Sequence, residues 1–150
     1  MRLTAMTDYA LRLLIYVGRQ GQDRLCTIAE VAQAHGLSET HLMKITHQLA
    51  LAGWLQTVRG KGGGMRLARP PAEINLGAVV RSIEPDFLLV ECLEGAGDCR
   101  LTGGCQLTGV FRSALQAFLA ELDGHTLADV LPVGRSAWAR VVPPVSRRRA

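Results

Sequence analysis

Apolar residues recur along this chain at helical spacing in several separate runs, and capping and turn signals divide one run from the next. The first run, Tyr9 to Val17, is apolar on most sides. Thr7 reads as its N-cap and Gly18 as its stop, and a helix of that kind is expected to lie sandwiched beneath other elements. Arg19 to Leu25 reads as a loop. Thr27 and Glu30 then form a Thr-x-x-Glu capping box ahead of a short helix whose inner face is Ile28, Val31 and Ala32. His35-Gly36-Leu37 breaks that helix, Ser38 caps the next, and Leu42, Ile45, Leu49 and Ala52 repeat along it. Two capped helices joined by a glycine turn, over about residues 28–51, make a helix-turn-helix.

Beyond Ala52 the period changes. Trp54 to Arg59 and Met65 to Arg69 suit two strands joined by Gly60-Lys61-Gly62-Gly63-Gly64 and closed by Pro70-Pro71. A hairpin over 54–69, directly behind a helix-turn-helix, is a wing. Asn75 caps a further helix carrying Leu76, Val79, Val80 and Ile83 as far as Pro85. The segment 85–106 is glycine-rich and holds three cysteines. From Leu107 a stripe of Val110, Phe111, Ala114, Leu115, Phe118, Leu119 and Leu122 runs to Gly124. It is wider than a small winged domain can cover, so a partner copy of the same helix is the economical cover, with a fold back onto its own domain as the alternative. Thr126 and Asp129 mark a last capped turn.

The expected fold is therefore mainly α with a small β-hairpin wing. A winged helix-turn-helix spans 1–84, a cysteine-bearing loop 85–106, and a long dimerisation helix with a C-terminal turn 107–131. Residues 132–150, rich in Pro and Arg and without periodicity, read as a flexible basic tail.

Charge sharpens this picture. The net charge of +4 over 150 residues divides into +5 over residues 1–71, −6 over 72–134 and +5 beyond. A basic N-terminal half joined to an acidic middle suits a DNA reader with a separate regulatory or pairing segment, because phosphate attraction acts at the contact face. The chain lacks the roughly 18 consecutive apolar residues of a membrane span and a basic-then-apolar leader, so a cytoplasmic protein without membrane contact is expected.

The second helix of a helix-turn-helix enters the major groove with its N-terminal residues near base edges. The candidates here are Ser38, Thr40, His41, Lys44 and His47. Arg59, Lys61 and Arg66 of the wing flank a glycine run that permits close approach to the duplex, where a narrow minor groove attracts cations. Double-stranded operator DNA is thus the expected partner.

Cys92, Cys99 and Cys105 lie in a Cys-x6-Cys-x5-Cys pattern interrupted by Gly95, Gly97, Gly103 and Gly104, which lets three thiolates meet. Structural zinc prefers paired Cys-x2-4-Cys knuckles with four protein ligands, whereas iron-sulfur clusters accept wider, irregular spacings. An iron-sulfur cluster is favoured; zinc and free-thiol or disulfide chemistry remain as alternatives. No histidine follows Cys105 closely, so the loop lacks an evident fourth ligand, with Glu91, Glu94 and Asp98 as local acids. A thiol enzyme is disfavoured by the absence of a Cys-x-x-Cys pair and of a nearby histidine base. Cys26, alone beside Leu25, reads as a buried structural thiol.

Met1-Arg2-Leu3-Thr4, Thr7 to Arg12, the turn His35-Gly36-Leu37-Ser38, the segment Thr57 to Leu67 and the three-cysteine loop together resemble the winged-helix iron-sulfur regulators that include the IscR type, and among them the nitric-oxide-sensing NsrR-type repressors. The resemblance runs from Met1 to about Gly124. It implies a homodimer that carries an iron-sulfur cluster, 4Fe-4S favoured over 2Fe-2S, binds operator DNA and releases it when nitric oxide reacts with the cluster. It also implies that Asp8 supplies the fourth iron ligand from the partner subunit, a role that the residue alone, a good first-turn helix acid, would not suggest. A sensor of iron-sulfur or redox status of the IscR type, and a zinc-shaped interaction module, are the competing readings.

Overall fold

The computed structural model describes residues 2–90, 93, 100–101 and 104–132. Among these the element order is α1 (Ala5–Gln20), α2 (Ile28–His35), α3 (Glu39–Leu51), β1 (Leu55–Val58), β2 (Gly64–Leu67), a 3-10 turn (Pro71–Glu73), α4 (Leu76–Ile83), α5 (Leu107–Asp123) and α6 (Leu127–Val130). The winged helix-turn-helix followed by a long helix is therefore present. Cys92, Cys99 and all of the basic tail beyond Pro132 lie outside the described residues.

Helix α1 is the hub. It touches α2, α3, α4, α6 and β2, and Ala10, Leu13, Leu14 and Val17 are fully buried against them. Its limits differ from the sequence reading. Thr4, not Thr7, is the N-cap, its hydroxyl accepting the Thr7 amide at 3.4 Å. Gly18 does not end the helix. It lies two residues inside the C-terminus, where a side chain would crowd Leu131 and Leu67 at 3.3 Å, so this glycine answers a need for space and not for a turn.

Helices α2 and α3 form as their caps dictate. The Thr27 amide donates to Glu30 at 2.7 Å while the Glu30 amide donates to the Thr27 hydroxyl at 3.2 Å, so two otherwise orphaned N–H groups are satisfied. Gly36 then takes the left-handed conformation, φ 64°, that turns the chain into α3. Ser38 holds the N-cap position of α3 without a side-chain capping bond. Leu42, Ile45 and Leu49 are fully buried beneath α3.

Strands β1 and β2 pair antiparallel with Leu55 opposite Leu67 and Val58 opposite Gly64. Cys26 extends this sheet by one bridge, exchanging two 2.8 Å hydrogen bonds with Met65. Trp54 pins the wing to α4 by donating from Nε1 to the Ser82 hydroxyl at 2.9 Å.

Helix α4 starts at Asn75, whose Oδ1 accepts the Ala78 amide at 2.9 Å while its Nδ2 donates to the Asp123 carbonyl at 2.7 Å. One side chain thus caps α4 and closes α5. Helix α5 packs on α4 but buries none of its own residues; Leu107 and Val110 remain 55% and 61% exposed. The capped turn expected at Thr126 and Asp129 is α6.

Candidate nucleic-acid interface and cysteine segment

Helical register sorts α3 into two sides. Leu42, Ile45, Thr46 and Leu49 turn inward, and Ser38, Thr40, His41, Lys44 and His47 are all exposed on the remaining surface. The five residues expected to meet DNA are therefore all open to solvent, Ser38 at the N-cap and the other four on the polar side of α3, with Lys44 as their cation. Met43, which the sequence reading left out, is exposed among them.

The wing tip is equally open at Arg59 and Lys61, with Gly60 and Gly62 at φ 98° and 80° making its turn. Arg66 is half-buried, and its Nε donates to Gln56 Oε1 across the hairpin at 2.9 Å. Arg69 is occupied differently, its guanidinium 5.4 Å from the centre of the Trp54 ring. The free cationic reach of the wing thus lies at Arg59 and Lys61.

Of the four expected metal ligands, Asp8 and Cys105 are described. Cys105 is a free, half-buried thiol two residues before α5, at the end of the cysteine segment. Asp8 sits in the first turn of α1, half-exposed, with its carboxylate 2.8 Å from Arg12 Nη2. Among the described residues no three His, Cys, Asp or Glu side chains converge. As residue types the set suits an iron-sulfur group, three cysteines in one segment and a carboxylate on another element, although Arg12 engages both Asp8 oxygens, at 2.8 and 3.1 Å. Cys26 is no part of it, being fully buried, and burial first and the Glu30 charge second push its thiol up to about 11.

An unforeseen junction ties α1 to the root of the cysteine segment. Glu84, the C-cap residue of α4, accepts the Thr4 amide at 3.1 Å, the Thr4 hydroxyl at 3.1 Å and the hydroxyl of fully buried Thr7. Beside it a cavity of about 290 Å3 opens between Arg2 and Leu3, Phe87 to Leu89, and Leu115 and Phe118 of α5.

His35, at the end of α2, is half-buried with its ring 5.9 Å from Tyr16 in an edge-on contact, and its Nε2 has no hydrogen-bond partner. Burial, then the nearby Arg12 charge, hold its pKa below the ordinary histidine value.

Comparison with known proteins decides the family. The family model described as Rrf2, iron-dependent transcriptional regulator, matches residues 3–132. The chain belongs to the Rrf2 family. It is 46% identical over 132 residues to a protein from Geobacillus kaustophilus named HTH-type transcriptional regulator NsrR, covering 87% of this chain and 90% of the relative. Among solved structures, CymR (YrzC), the global cysteine regulator of B. subtilis, superposes with a TM-score of 0.71 at 25% identity, covering 87% of this chain and 95% of CymR. T. potens IscR superposes at 0.69 with 23% identity, over 86% and 85%, a likeness of fold. This Rrf2 chain is accordingly a transcriptional regulator and not an enzyme, and no described helix is long and apolar enough to cross a membrane.

Proposed function

We propose that this Rrf2 chain is a cytoplasmic, nitric-oxide-responsive repressor that binds double-stranded operator DNA as a homodimer carrying an iron-sulfur cluster. The observation that carries the reading is the 46% identity, over 90% of its length, to a relative named NsrR. Two structural features support it. One is the open face of Thr40, His41, Lys44 and His47 together with the exposed Arg59 and Lys61 of the wing tip, which suits a major groove with flanking phosphates. The other is α5, whose unburied apolar stripe suits a second copy of itself.

Cys92, Cys99 and Cys105 would hold the cluster, 4Fe-4S in preference to 2Fe-2S, and Asp8 of the partner subunit would complete it. When bound, the cluster supplies iron that a small neutral molecule can attack. This chain's own residues do the rest. Arg12 clasps both Asp8 oxygens in the free chain, so that pair would open for Asp8 to reach iron; Glu84 anchors the start of α1 to the chain that leads to Cys92, and α1 carries α3 on its flank.

The test is titration of anaerobically purified protein with nitric oxide while operator binding, iron and labile sulfide are followed. Release of DNA in step with cluster loss is expected, and unchanged DNA binding would overturn the reading. Zinc without sulfide would identify an interaction module instead; release on one-electron reduction alone would identify a redox-status sensor. Asp8→Ala is expected to weaken cluster retention, and unaltered retention would remove Asp8 from the ligand set.

A further inference from the structure

Met43 stands on the reading helix outside the hydrophobic core. It is 53% exposed, three residues after Thr40 and four before His47, so these three follow one another along one side of the open face of α3. Lys44 is its neighbour in sequence and is also exposed. A single exposed methionine is ordinary on a protein surface. What distinguishes Met43 is its register, in the N-terminal half of the helix and among the side chains that would meet base edges. The other large exposed apolar residue of α3, Leu51, is its last residue, beyond the part of a reading helix that enters the groove.

A methionine side chain has no hydrogen-bond donor and only a weak acceptor, so it cannot read the polar edges of a base pair. The major groove offers it one apolar feature, the C5 methyl of thymine. An unbranched thioether reaches such a methyl with little steric demand. We propose that Met43 is a specificity-determining residue that selects thymine at one position of each operator half-site by packing on its methyl group. This rests on the reading above that α3 lies in the major groove.

Uracil differs from thymine by that methyl alone. Duplexes enriched by the full-length protein from random-sequence DNA would be remade with uracil replacing each thymine in turn. At one position per half-site the wild-type protein is expected to lose about fourfold in affinity, the value of one methyl withdrawn from water. Met43→Ala should bind the thymine duplex about fourfold less tightly and be indifferent to the swap, while Met43→Leu should keep the sensitivity. Circular dichroism of each variant guards against loss of fold. Tight wild-type binding insensitive to every swap, or full methyl sensitivity in Met43→Ala, would overturn this inference alone. Failure to enrich any duplex would overturn the groove reading together with it.

Discussion

The buried hydroxyl of Thr7, in the first turn of α1, donates to the carboxylate of Glu84 at the C-terminus of α4. Glu84 also takes the Thr4 hydroxyl and the Thr4 amide, so one carboxylate gathers two side-chain hydroxyls and a backbone N–H that the start of a helix otherwise leaves unsatisfied. Its removal withdraws the acceptor without removing the donors, which is the costly direction. Glu84→Ala is expected to lower unfolding stability by about 2 kcal/mol, and Thr7→Val by less. The double variant should be about 1 kcal/mol more stable than the sum of the singles predicts. Urea unfolding of the four proteins measures this, and strict additivity would show that the two groups are not coupled.

Gly77 of α4 faces an ion pair that closes α5. A Cβ there would overlap the Asp123 carboxylate, which Arg81 clasps through both terminal nitrogens, at 2.5 and 2.7 Å. The overlap is with the ends of exposed side chains alone, so Gly77→Ala is expected to turn Asp123 away and open this pair, a small loss that alanine's better helix propensity, about 1 kcal/mol, offsets. Thermal unfolding should show a near-neutral Gly77→Ala in which Asp123→Ala costs nothing further, and a loss of about 3 kcal/mol would mean that the helices themselves are overpacked there.

Half-buried His35 gives stability a pH dependence. Its folded pKa lies below the ordinary 6.5, so between the two values the unfolded chain binds the proton and the folded chain does not. Stability from this group is complete above about 6.5 and falls as pH drops through the folded value. Asp123 and Asp129 are also shifted down, by Arg81 and by the Thr126 amide and hydroxyl, but their losses come below the ordinary aspartate value of 3.8. Urea midpoints at about pH 7.5 and about pH 5.5 should differ in the wild type and converge in His35→Gln. An unchanged slope in that variant would assign the effect to another group.

Local chemistry made most of the architecture readable in advance. The Thr27–Glu30 box, the left-handed Gly36, the Asn75 cap and the Thr126–Asp129 turn are all contained within four or five residues, and each forms as its residues dictate. The exposure of Thr40, Lys44 and His47 followed from the inward period of Leu42, Ile45 and Leu49. What escaped were relations between distant residues. Thr7 looked like a cap because it precedes an acid and an apolar run; its real partner lies 77 residues away. Gly18 looked like a stop because nothing local reveals that Leu67 and Leu131 close over it. The stacking of Arg69 on Trp54 joins residues 15 apart, and no spacing rule signals it. Met43 differs again: its register with Thr40 and His47 puts it on the open face, and an apolar residue there carries no hydrogen-bonding group to mark it as a DNA contact.

The wing offers a graded test of DNA contact. Lys61 stands exposed at the tip, Arg59 is exposed beside it, and Arg66 is half-buried with Gln56 holding its Nε. A cation that neutralises a phosphate releases a counterion, so its loss flattens the dependence of log affinity on log salt by about 0.9. Lys61→Ala and Arg59→Ala should each flatten the slope by about that amount while weakening binding to all sequences alike. Arg66→Ala should do so less, since its guanidinium is already engaged within the hairpin. Fluorescence anisotropy across a salt series, on one enriched duplex and one unrelated duplex, distinguishes the cases. If Arg66→Ala changed the slope more than Lys61→Ala did, the hairpin would have to present its edge and not its tip to the DNA, and the wing geometry inferred from these exposures would be wrong.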